Sequence, residues 1–221
     1  MRTARQTLWT ALAISAVISL GAARAETVDV YDGLSHAQLK SILSQTNMGL
    51  SEQVTQKGVP YLIITIEGGT VPFVGVGTDC KDGQCDGFTF FFIDGKHPMS
   101  AEGMAQFNKA VFFVKARPGV ADAADVVITS EFFARGGVTA RHVIFSAALY
   151  AAVLESYLKQ AAEAIATTGR EPTWAPASAG RLRPEQLFVE LTAKGGRKPP
   201  PLGAYKLTVD EALIDAAAAP R

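Results

Sequence analysis

Six residues, Cys80-Lys81-Asp82-Gly83-Gln84-Cys85, restrict the chain's folding choices more than any other stretch. Asp-Gly favours a two-residue hairpin turn, which sets Lys81 opposite Gln84 and Cys80 opposite Cys85. The second pair outward from such a turn is a non-hydrogen-bonded pair with Cα atoms about 4.5 to 5.5 Å apart. That spacing lies within disulfide reach. The chain has only these two cysteines, and in an oxidising compartment they are expected to be bridged. A zinc site would need two further ligands, and the nearest histidine, His97, lies beyond a whole strand. A redox-active pair of the thioredoxin kind has a two-residue gap, not four. Asp79, Asp82 and Asp86 do not follow a calcium-loop spacing, because Lys81 stands where an oxygen ligand is required.

The compartment is read from the N-terminus. Arg2 and Arg5 precede an uncharged apolar run from Leu8 to Ala23, followed by Ala23-Arg24-Ala25 and then Glu26. This is the layout of a secretory signal peptide, with cleavage expected after Ala25. The run is shorter than the roughly 20 residues of a membrane-spanning helix; the alternative is an uncleaved anchor. Cleavage places the mature chain in the periplasm or outside the cell, with no membrane span. Removing residues 1–25 takes away three arginines and no acid, leaving 18 basic against 21 acidic residues. So small a net charge, with no basic stripe, argues against a nucleic-acid partner.

Along the mature chain, Ser35 and Gln38 have capping-box spacing ahead of a helix reaching about Thr46, with Leu39, Ile42 and Leu43 on one face. Three strands follow over 50–56, 61–67 and 71–76, separated by turn signals, so a meander is the simplest arrangement. The run from Phe88 to Ile93 is apolar on both sides, which predicts a strand covered on both faces or one offering an aromatic face to a partner. Ser100 is expected to cap a helix over 101–110 that buries Phe107. Strands are expected over 112–116 and 125–133, and Thr139 caps a long helix to about Ala166 with Val143, Ala147, Ala151, Leu154 and Leu158 as its apolar stripe. The expected fold is therefore α+β, an antiparallel sheet with helices packed on one face, in the order α-β-β-β-β-α-β-β-α over residues 26–168. Residues 169–221 are rich in proline, glycine and alanine and read as a largely flexible tail. Two short helices are expected to punctuate it, one from Pro184 with Leu187, Phe188 and Leu191, one from Thr208 with Leu213 and Ile214.

A search for chemistry returns little. His36, His97 and His142 are isolated in sequence, and no nucleophile elbow, phosphate-binding loop or His-Glu-x-x-His occurs. No cofactor, no metal site and no catalytic residue is expected.

The order of elements and certain residues resemble the YbjN domain family of bacterial proteins. These are the Leu34–Leu43 helix with Gly49, Cys80 and Cys85 with Asp86, Phe107-Asn108-Lys109 leading through Phe113 to Ala116, and Gly136-Gly137-Val138-Thr139 before the last helix. The likeness covers roughly residues 30–160. Phe107 stands where the family usually has tryptophan, and the usual member has no export signal. The resemblance implies a type III secretion chaperone-like fold and a non-catalytic role linked to stress or sensory regulation. The expected function is thus a periplasmic protein-binding or chaperone-like module, with Phe88, Phe90, Phe92, Phe107, Asn108 and Phe113 as candidate binding residues. Its partner is an unknown protein or a second copy in a homodimer. The alternative is an enzyme or small-ligand carrier with a pocket between the sheet and the last helix. A weaker reading makes Pro199-Pro200-Pro201 a docking segment.

Overall fold

A computed structural model describes residues 29–66, 71–120, 122, 125–172, 174 and 209–219. The leader expected to end at Ala25, the expected helix from Pro184 and the Pro199–Pro201 run lie outside the described residues.

The strands are β1 Val30–Tyr31, β2 Met48–Val54, β3 Pro60–Ile66, β4 Phe73–Lys81, β5 Gln84–Asp94, β6 Lys115–Pro118, β7 Val126–Phe133 and β8 Val138–Thr139. The helices are α1 His36–Leu43, α2 Ala101–Ala110, α3 Ala140–Thr168 and α4 Glu211–Ala218. Six strands form one antiparallel sheet in the order β2-β3-β4-β5-β7-β6, and β1 pairs with β8 in a separate two-stranded ladder. The fold is α+β, with four helices among the described residues. β2, β3 and β4 form the expected meander, and β5 continues it. The chain then leaves β5 through α2, lays β6 on the far edge, and returns with β7 between them.

The cysteine hairpin is the tip of β4 and β5. Asp82 and Gly83 both have positive φ, at 52° and 79°, so the turn follows the right-handed twist of its strands. Cys80 pairs with Cys85 and Lys81 with Gln84. The sulfurs are bonded at 2.05 Å. Leu34 adds a two-bond bridge to Cys85, tying the start of α1 to this tip.

The helix ends follow local chemistry. Ser35 and Gln38 complete both halves of the capping box. Ser100 accepts from Gly103 N–H, and Thr139 from His142 N–H. Gly169, at φ 63°, closes α3 in the left-handed conformation.

β5 is covered on both faces, as its composition predicts. Phe88, Phe90 and Phe92 enter a large core with α1, α2 and α3, while Phe91 and Ile93 enter a second core beneath α4. Every residue of the expected α3 stripe is buried.

Three expectations need correction. Helices do not pack on one face alone, since α4 closes the other through Leu213 and Ile214. The strand expected over 112–116 begins only at Lys115. Val111 and Val114 are buried while Phe112 and Phe113 are exposed, an in-out-out-in pattern that a pleated strand cannot hold. Finally, α4 is the short helix expected near Thr208, and among the described residues after 168 both it and Trp174 meet the domain. Trp174 packs on Phe107 and Tyr157, and α4 docks on the sheet. The cap of α4 is Asp210 and not Thr208, its carboxylate accepting from Ala212 and Leu213 N–H.

Candidate functional site

Four of the six candidate binding residues are core. Phe88 and Phe90 are fully buried and Phe92 nearly so. Phe88 stacks on Phe132, and Phe90 packs against Phe73, Phe132 and Tyr150. Phe107 is buried edge-on to Tyr157 and Trp174. These rings stabilise the domain and present nothing to a partner. Phe113 is 70% exposed, and Phe112 beside it 84%.

Asn108 has a different task. Its amide donates to the Ala116 carbonyl at 2.9 Å and accepts from Ala116 N–H at 2.7 Å. These groups point away from β7, so one side chain occupies the sheet edge as a neighbouring strand would. Pro118, two residues on, has the same orientation and no N–H. Among its strand residues, β6 therefore shows no outward N–H to an incoming strand. Nothing in the sequence spacing marks this clasp, which joins a helix to a strand through residues eight apart.

The second face of the sheet is an apolar strip of Tyr61, Val74, Val76, Phe91, Ile93 and Val127. Over it lies α4, with Leu213 and Ile214 inserted and both ends of its acidic side fastened to the β2–β3 turn. Asp215 accepts from Thr55 Oγ1 at 3.2 Å and pairs with Lys57 at 2.8 Å. Glu211 accepts from Gln56 N–H at 3.2 Å.

The histidines fall into structural settings. His36 Nε2 accepts from Gly77 N–H at 3.2 Å, and its ring meets Phe88 edge-on. Gly77 has no room for a side chain: a Cβ there would strike both cysteine sulfurs and His36. The short Gly75-Val76-Gly77 run is thus a pair of clearances, Gly75 for Phe90 and Gly77 for the disulfide. Burial pushes the His36 imidazole below its ordinary value, with Glu52 and a hydrogen bond to the Pro60 carbonyl opposing it.

Asp94 is a buried carboxylate at the end of β5. It accepts from His97 Nδ1 at 2.8 Å, from Tyr157 OH at 2.9 Å and from the Lys96 and His97 amides. This grouping of Asp94, His97 and Tyr157 joins β5, its following loop and α3, and sequence distance concealed it. An Asp–His pair can support general-base chemistry when the imidazole faces a nucleophile. Here its immediate partners make it a clamp. The Tyr150 hydroxyl donates to the Ile128 carbonyl at 2.8 Å in full burial, which holds its pKa well above the usual phenol range. His142 sits exposed in the first turn of α3. Among the described residues no group of three His, Cys, Asp or Glu side chains could hold a metal.

Comparison with known proteins found no matching family model, no matching curated protein and no matching solved structure.

Proposed function

We propose that the chain is an exported, non-enzymatic protein-binding module of the YbjN type, chaperone-like and acting in stress or envelope regulation, with the second sheet face as its contact surface. One observation carries this reading: an apolar strip on a six-stranded sheet is covered, among the described residues, by a helix of only eight residues. Two inserted side chains are worth roughly 3–6 kcal/mol of apolar burial at most. The exposed Lys57 gives the rim pair little further strength. A partner offering a longer apolar helix would outcompete such a cover.

Two further features support the proposal. Counting the helices and the strands of the large sheet alone, the order from α1 to α3 is α-β-β-β-β-α-β-β-α, with the short β8 added before α3. The bridged Cys80–Cys85 hairpin suits an oxidising compartment, as delivery to the periplasm or beyond requires. The rival reading, a pocket between sheet and α3, is less well supported, because Phe73, Phe90 and Tyr150 are in mutual ring contact there.

The test is truncation before Val209. A folded truncated chain should bind a hydrophobic dye or self-associate, and a peptide of residues 209–219 added in trans should suppress either effect saturably. A folded truncated chain that ignores both dye and peptide and stays monomeric would sink the proposal.

A further inference from the structure

The loop from α2 to β6 holds two aromatic rings in water on a fixed base. Val111 and Val114 are buried on either side of Phe112 and Phe113, which are 84% and 70% exposed. Lys115 Nζ donates to the carbonyls of Asn108 and Val111 at 3.0 and 3.2 Å, and Asn108 grips Ala116. So anchored, the rings cannot fold back to cover themselves, and they stand as a knuckle at the end of β6.

The stretch of chain that carries this knuckle is basic. From Gly103 to Ala121 the sequence has no acid, yet it carries Lys109, Lys115 and Arg117, all exposed, in a chain that is neutral as a whole. At the same end of the sheet β7 runs on past its pairing with β6, adding exposed Glu131 and Phe133. An added strand finds no outward N–H on β6, and the projecting rings offer the contact there instead. Projecting aromatics with cations at their shoulders complement a surface that is apolar below and anionic above, which is a lipid–water interface.

We propose that Phe112 and Phe113, with Lys109, Lys115 and Arg117, form an interfacial anchor that seats the domain on an anionic bilayer. This surface is separate from the face beneath α4, and the inference stands whether or not that face binds protein.

The test uses the chain from Glu26 onward, which contains every described residue, co-sedimented with vesicles of phosphatidylglycerol and phosphatidylcholine or of phosphatidylcholine alone. Binding should favour the anionic vesicles by about tenfold or more and weaken severalfold between about 50 and 300 mM salt. F112S/F113S and K109E/R117E should each lose about tenfold on anionic vesicles with unchanged circular dichroism. Absence of vesicle binding, or binding undiminished by F112S/F113S, would overturn the proposal. So would lipid-free self-association that the same double substitution abolishes, which would assign the rings to a protein contact.

Discussion

The two faces of the sheet are both apolar, yet they are closed by different means. On the first, α1, α2 and the 29-residue α3 bury an interlocked set of rings, with Tyr150 and Tyr157 hydrogen-bonded into the sheet's own framework. On the second, one two-turn helix inserts two side chains from a distant part of the sequence. Both arrangements remove apolar surface from water. On the first, the helices pack against one another as well as against the sheet, while on the second α4 meets the strands and the β2–β3 turn. A face closed by one short element can open without unfolding the rest, which is what distinguishes a contact surface from a core.

The largest effect should come from Phe90→Ala, which empties a site bounded by Phe73, Phe132 and Tyr150. We expect a loss of about 3–5 kcal/mol in urea denaturation. Next is Cys80→Ser, which breaks the bridge at its exposed cysteine while leaving Cys85 in the core. The expected cost is about 2 kcal/mol relative to the oxidised chain, and thiol labelling under denaturing, non-reducing conditions should find no free thiol before the substitution. Ile214→Ala should move the global midpoint by under about 1 kcal/mol while amide protection in α4 collapses. Should it cost as much as Phe90→Ala, the distinction between the faces fails.

The smallest effect is on pH. The unfolded imidazole of His36 takes its proton near 6.5, whereas the folded one resists until a lower pH. The unfolded state therefore binds more protons in that window, and the stability from neutral His36, full above it, is lost as pH falls through 6.5 and below. A urea midpoint measured from pH 7.5 down to 5 should fall more steeply in the natural chain than in His36→Gln. Equal slopes would remove His36 from the account.

What was legible in the sequence was what neighbours decide. The Asp82-Gly83 turn, the Ser35–Gln38 box, the Ser100 and Thr139 caps and the α3 stripe each depend on residues a few positions apart, and each appears as read. The two-sided burial of β5 was also legible, because a run without polar alternation has no side to give to water.

What could not be read was pairing over distance. Nothing local says that β7 slips between β5 and β6, that Val30 and Tyr31 seek Thr139 and Val138, or that Leu213 and Ile214 belong on β4. The candidate aromatics failed for a related reason. Alternation reveals that Phe88, Phe90 and Phe92 share a side, but what covers that side depends on α3, more than fifty residues later. Phe112 and Phe113 lie where a strand is expected, and the pair of buried valines flanking them is the clue that both rings stand out together.

The Asn108 clasp bears on how copies of this chain can join. Fibril growth by rim-to-rim stacking requires every subunit to offer two open rims, one for the neighbour before and one for the neighbour after. Here the β6 rim shows no outward N–H among its strand residues, which closes that rim to strand addition. Asn108 and Pro118 thus disfavour open-ended rim-to-rim growth through β6.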